Sequence, residues 1–240
     1  MSVLRSLVCY IYFFGSLTML SFKFKRHKAN RHKYSKEEYQ TLVNEEARRW
    51  SRRVLKICGV KVNIRGVENI PDEAVLFMAN HQSSFDIAIF LGCIYKNKGY
   101  ISKPGIFKIP FIRNWMDELR CVEISQTDVR QGLKAVLAGI DILKDGYSMV
   151  VFPEGTRSLD GKLLEFKAGT FKLATKSKVP IVPVTIDGAI NVMRKGDILV
   201  KSRPVTVTIH PPIYTKDLVR EEEVLLPAQV KSAIELGFGS

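Results

Sequence analysis

The sequence predicts an α/β fold, with a mixed, largely parallel sheet flanked by helices and an N-terminal membrane-associated helical pair ahead of it. Three observations predict it. From about residue 60, short β-rich runs alternate with helical stretches, as strands joined by crossover helices do. Ser6–Phe22 is an uncharged, apolar run. Between these two regions, apolar side chains recur at three- and four-residue steps, the period of one helical face.

The uncharged run has seventeen residues, about 25 Å as a helix. That is short for a hydrocarbon core of about 30 Å, so it either spans with thinning or lies in the interface. Lys23–Lys33 follows with six Lys or Arg and no acid, where a signal peptide would need a small-residue cleavage site. Basic residues after an apolar run stay cytoplasmic and attract anionic headgroups. The expected location is therefore the cytoplasmic face of the cell membrane. Residues 35–56 form the second helix, with Ser35 as N-cap and Glu37 and Glu38 in its first turn. Its stripe is Tyr39, Leu42, Val43, Glu46, Trp50 and Val54, flanked by Arg48, Arg49, Arg52, Arg53 and Lys56. Such a helix suits a membrane interface or docking on the body of the protein.

Candidate strands are Lys61–Arg65, Ala74–Ala79, Gly99–Ser102, Cys121–Ser125, Ser148–Phe152, Ile181–Ile186 and Val205–His210. Helical stretches lie near Phe85–Tyr95, Asp128–Lys144 and Ala168–Lys176. The expected organisation is membrane-associated helices and a basic linker over 1–57, an α/β domain over 58–215, and a C-terminal helical tail over 216–240 interrupted at Pro227.

With 240 residues and 46% hydrophobic content the chain can bury a sizeable core. A net charge of +13 calls for a polyanionic partner. Nucleic acid is not expected, because no helix-turn-helix, RNP or zinc-finger signature accompanies the charge. Cys9, Cys58, Cys93 and Cys121 are too scattered for a disulfide framework or a zinc site.

Two polar segments follow apolar strands, where ligand sites of α/β sheets gather. The first is Asn80-His81-Gln82-Ser83-Ser84-Phe85-Asp86. His81 and Asp86 would diverge by about 140° on a continuous helix, so they pair only if His81 precedes the helix and Asp86 lies in its first turn. Asp86 then fixes the tautomer of His81 and leaves Nε2 as a base. No G-x-S-x-G elbow marks Ser83 or Ser84 as a nucleophile, so a substrate hydroxyl would take that place. The alternative is a structural His–Asp bond.

The second segment is Phe152-Pro153-Glu154-Gly155-Thr156-Arg157-Ser158. Gly155 permits close backbone approach, Thr156 offers a hydroxyl, and Arg157 a fork that matches phosphate. Glu154 requires a partner, either Arg157 or a substrate hydroxyl. Lys103, in Ser102-Lys103-Pro104, offers a point charge to the same phosphate. A metal hydrolase would instead require His81, Asp86, Glu154 and His210 to converge; no metal is expected. An oxyanion donor is expected near Ile181 or in the Gly155 loop. A non-catalytic membrane-binding protein would leave His81 and Asp86 without a role.

Taken together with Val179-Pro180-Ile181-Val182-Pro183-Val184, these blocks resemble the 1-acyl-glycerol-3-phosphate acyltransferase family. The family's H-x-x-x-x-D block stands at His81–Asp86 and its aromatic-Pro-Glu-Gly-Thr-Arg-Ser block at Phe152–Ser158. The resemblance covers roughly residues 55–215. It implies that His81 is the base and Asp86 its orienting partner. It implies phosphate binding by Lys103, Glu154, Gly155, Thr156 and Arg157. It also implies transfer of an acyl group to the sn-2 hydroxyl of a lysophospholipid on an anionic membrane surface. The resemblance implies no bound cofactor and, as co-substrate, an acyl-carrier-protein or coenzyme A thioester. Gln126 stands where the family usually has arginine, which points to Arg130 as an auxiliary cation, with Arg120 the weaker candidate, or else to a different lysolipid.

Overall fold

The computed structural model describes residues 2–109, 111–125 and 127–239. Helix α1 is Ser2–Ala29 and α2 is Lys36–Cys58. The body follows as β1 (Lys61–Arg65), β2 (Leu76–Ala79), α3 (Phe85–Cys93), β3 (Lys98–Ser102), α4 (Pro104–Phe107), α5 (Ile112–Glu118) and β4 (Val122–Glu123). It continues through α6 (Val129–Lys144), β5 (Ser148–Val151), α7 (Lys172–Ser177), β6 (Ile181–Asp187), α8 (Ala189–Val192), β7 (Pro204–Ile209) and α9 (Arg220–Leu236).

The strands form one sheet in the order β1-β7-β6-β2-β5-β3-β4. All neighbours are parallel except β6 and β7, so the mixed, largely parallel sheet is as the sequence predicts. Every residue of β2 is buried, as expected of a strand covered on both faces. Phe77 and Ala79 point into one core layer with Val150, Val182 and Val184. Leu76 and Met78 point into the other with Met149, Leu173 and Ile181.

Three features differ from expectation. The predicted strand Cys121–Ser125 shrinks to Val122–Glu123 at the sheet edge, where it has a neighbour on one side alone. Helix α9 runs unbroken through Pro227. Proline inside a helix costs about 3 kcal/mol, but Leu226, Val230 and Ile234 are fully buried in the second core layer. At about 1.5–3 kcal/mol each, their burial outweighs the proline. Residues 220–236 are therefore part of the core and do not trail from it.

The third difference is in α1, which has 28 residues, about 42 Å. The lysines and arginine after Phe22 prolong the helix, as good helix formers do. It is long and apolar enough to cross a membrane, yet one face lies against protein. Cys9, Leu17 and Leu20 are buried. The Val200 amide donates to Ser6 Oγ (2.8 Å) and Tyr10 Oη to the Ile198 carbonyl (2.9 Å). Trp50 Nε1 donates to Ser16 Oγ (2.8 Å), and Lys23 pairs with Glu46 (2.6 Å). The opposite face exposes Leu4, Leu7, Ile11, Phe14 and Phe22. Helix α2 starts with a capping box between Ser35 and Glu38 and ends at Gly59 in the left-handed region (φ 71°). Its Tyr39, Val43 and Val54 are buried, so the stripe of α2 docks on the protein and the exposed apolar face belongs to α1.

Candidate active site

The strand order sets the site. Neighbours β6, β2, β5 and β3 are parallel, so their C-terminal ends lie along one edge of the sheet. The segment after β2 carries His81, that after β5 carries Glu154–Arg157, and that after β3 begins with Lys103. The arm after β6 leads through α8 to Lys195.

His81 sits in the turn before α3 and Asp86 in the first turn of that helix. His81 Nδ1 lies 2.7 Å from Asp86 Oδ2. The same oxygen accepts the amides of Gln82 and Ser83, each at 2.8 Å. Asp86 is fully buried, and these three contacts converge on one of its oxygens at the start of α3. Ser84 occupies the N-cap position without a side-chain cap bond; Asp86 itself ties down the turn. The His81 ring stacks on Phe152, centroids 4.1 Å apart. Nε2 makes no hydrogen bond among the described residues.

The turn is braced from three sides. Asn80 exchanges two hydrogen bonds with the Ile186 backbone on β6 (2.8 and 2.7 Å). The Ser158 amide donates to the His81 carbonyl at 2.8 Å. Glu154 Oε1 accepts the His81 amide at 2.7 Å, and Oε2 accepts the Leu164 amide at 3.0 Å. This corrects the phosphate-binding set. Glu154 is buried and both its oxygens serve backbone amides, so it is a brace and not a phosphate ligand. Burial pushes its carboxyl up to about 7, against the two amides, which lower it.

Gly155 adopts φ 67°, the left-handed conformation that favours glycine. Beyond this turn Arg157 reaches the His81 loop and Thr156 meets the arm after β6. Arg157 Nη1 donates to Ser84 Oγ at 2.8 Å. Thr156 Oγ1 accepts from Lys195 Nζ at 3.0 Å. Burial, and then the charges of Lys195, Lys167 and Arg157, lower the Lys103 ammonium from its ordinary value. Lys103 and Arg157 thus share one region.

A cavity of about 280 Å³ opens beside this rim. It lies between α1, α2, α3 and α5, with Leu17, Trp50, Leu91 and Trp115 in its walls, and it reaches Ser84 and Ser102. Those two residues adjoin the His81 turn and Lys103.

A family model described as "Acyltransferase" matches residues 61–187. The chain belongs to the acyltransferase family. The crystal structure of the 1-acyl-sn-glycerophosphate (LPA) acyltransferase from Thermotoga maritima superposes on it with a TM-score of 0.83 at 31% identity, covering 98% of this chain and 94% of that one. A chloroplastic 1-acyl-sn-glycerol-3-phosphate acyltransferase of Brassica napus is 40% identical over 159 residues, 64% of this chain and 45% of its own length. A probable 1-acyl-sn-glycerol-3-phosphate acyltransferase of Mycoplasma pneumoniae is 37% identical over 153 residues, 62% of this chain and 58% of its own. The chain thus spans about half the length of these curated relatives.

Of the residues singled out in the sequence, the structure brings His81, Asp86, Lys103, Gly155, Thr156 and Arg157 to one edge. Arg130 is exposed on the first turn of α6, beyond the end of β4 that pairs with β3, and no described side-chain contact joins it to Lys103 or Arg157. Arg120 pairs with Asp145 at 2.6 Å and lies over Tyr147. Gln126 is outside the described residues. Of the amides in the two expected oxyanion-donor regions, that of Ile181 bonds the Ile213 carbonyl and that of Gly155 the Phe152 carbonyl. His210 Nε2 lies 2.8 Å from Thr185 Oγ1. Among the described residues no three His, Cys, Asp or Glu side chains gather at metal-binding range. Asn80 and Lys195 were missed. Asn80 stands next to the His block, but its partner is 106 residues away; Lys195 lies in no recognisable motif.

Proposed function

We propose that this acyltransferase moves a fatty acyl group from a thioester to the sn-2 hydroxyl of 1-acyl-glycerol-3-phosphate, giving phosphatidic acid. The observation that carries this reading is the His81–Asp86 pair set between a cationic rim and an apolar cavity. A lysophospholipid phosphate suits Lys103 and Arg157. An acyl chain suits the cavity, whose lining is almost wholly apolar. The two reactants then meet at His81, and their placement supplies much of the rate.

His81 Nε2 takes the hydroxyl proton as the oxygen attacks the thioester carbonyl. Asp86 stabilises the imidazolium that forms. When the tetrahedral intermediate collapses, the C–S bond breaks and the thiolate takes the proton from His81. The products are an ester and a free thiol. The donor is acyl-carrier protein or an acyl-coenzyme A; both present the same thioester to the site. The exposed apolar face of α1, with Lys23–Lys33 at its end, suits burial in the interface of an anionic, cytoplasmic membrane surface.

The test is thiol release by detergent-solubilised protein, with both thioester types and a panel of lysolipids, for wild type and His81→Ala. Release that needs lysophosphatidic acid and is lost in the variant is the expected result. Release with a different lysolipid alone moves the substrate and keeps the mechanism. No release, or equal release from both proteins, overturns the reading.

A further inference from the structure

Lys195 lies outside every sequence block of the site, yet the fold delivers it there. The arm after β6 is fastened two residues earlier, where Ser83 Oγ donates to the Met193 carbonyl at 2.7 Å. Lys195 therefore stands on a segment tied to the turn that carries His81. A second bond, from the Asp197 amide to the Arg194 carbonyl (3.1 Å), closes a turn around Lys195. Its Nζ reaches across to Thr156 Oγ1 at 3.0 Å. Lys167 is fastened to the same loop through its amide, which donates to the Pro153 carbonyl at 3.0 Å.

Lys195 thus bonds the Thr156 hydroxyl, Arg157 follows Thr156 in the chain and reaches Ser84, and the charges of Lys195, Lys167 and Arg157 all act on Lys103, so four cations gather in one region. Among the described residues none of them forms an ion pair with a carboxylate. Like charges gathered without a counter-ion repel one another, and a phosphomonoester, with a charge of about −1.5 to −2 at pH 7, relieves that repulsion. A phosphodiester headgroup, with one negative charge, relieves less of it.

We propose that Lys195 is a binding residue for the acceptor's phosphate and, together with the neighbouring cations, selects a phosphomonoester over headgroups of lower charge. This supplies from the β6 arm the cation that the neutral Gln126 does not. It rests on the acyl-transfer reading and says which residues enforce its choice of acceptor. The hydroxyl of Thr156 orients the ammonium while the site is empty, and a phosphate oxygen then takes over as its acceptor.

The experiment compares wild type, Lys195→Met, Lys195→Arg and the surface control Lys216→Met in thiol release with lysophosphatidic acid. Acceptor KM, donor KM and kcat are measured separately. Loss of one charge-assisted contact is expected to raise the acceptor KM of Lys195→Met roughly tenfold. Donor KM and kcat should stay within about twofold, since the contact is made equally before and during the reaction. Lys195→Arg, which keeps the charge, should recover most of the loss, and Lys216→Met should match wild type. An unchanged acceptor KM in Lys195→Met, or a loss confined to kcat, overturns this inference while the acyltransferase reading stands. A wild-type protein inactive on every phosphorylated acceptor overturns both.

Discussion

The His81 turn and the cationic rim share one edge of the sheet but are built in opposite ways. The turn is buried and cross-braced: Asp86 takes three donors, Asn80 two backbone bonds, and Glu154 two more. The rim consists of long side chains, and Lys103, Lys167 and Lys195 are exposed. The difference follows from what each must do. Proton transfer requires a heavy-atom distance of roughly 2.6–3.2 Å and the right tautomer. Attraction of a phosphate falls off slowly with distance, so flexible cations suffice. Disturbing the turn should therefore cost turnover, and disturbing the rim should cost affinity.

The largest effect is expected at Asp86. In Asp86→Asn one amide group must stand in for an acceptor of three donors, and the His81 tautomer is no longer fixed. Turnover should fall by roughly 10²–10⁴, with the acceptor KM little changed. Steady-state kinetics with lysophosphatidic acid check this. A variant whose KM rises while kcat holds would erase the division between turn and rim.

Asn80→Ala probes the bracing without touching the reacting pair. It leaves the buried Ile186 amide without its partner and removes the tie from the His81 turn to β6. Stability should drop by about 2–3 kcal/mol, read from urea unfolding, with a fall in kcat alongside. Full turnover in a destabilised variant would mean that the turn holds its geometry unaided. At the rim, Arg157→Gln removes a fork that, among the described residues, bonds the Ser84 hydroxyl and no carboxylate. The acceptor KM should rise roughly tenfold with kcat nearly intact.

The same contrast decides what was legible in the sequence. His81 and Asp86 are five residues apart, and their pairing follows from one local condition, a helix that starts between them. The mixed, largely parallel sheet was legible for a similar reason: strands such as Leu76–Ala79 are apolar on both faces and bounded by polar turns. Glu154 was misread because its neighbour Arg157 looks like a natural ion partner. Its true partners are backbone amides, one of them 73 residues away. Lys195 had no signal at all. It reaches the site because β6 lies next to β2, a pairing no local pattern encodes. In α1 the apolar run was visible, but not that one face of it would be covered by residues near Val200. Contacts made within a turn can be read along the chain; those made by sheet order cannot.

The smallest effect concerns Glu154, and its sign separates a brace from a ligand. In the folded protein burial holds this carboxyl near 7, whereas in the unfolded chain it ionises near its ordinary value, about 4.3. Between those values the folded state keeps a proton that the unfolded state has lost. Stability from this group is therefore fully present below about pH 4.3 and is lost as pH rises through about 7. Glu154→Gln removes the titration. It also sets an NH₂ group against one of the two amides, so the variant should be less stable throughout. The informative quantity is the slope: from pH 5 to pH 7 wild type should lose more stability than the variant, measured by urea unfolding at each pH. Parallel curves would mean that Glu154 is ionised over the whole range, and that an anion already held at acid pH, rather than a carboxyl that titrates in place, fastens the Glu154 loop to the His81 turn.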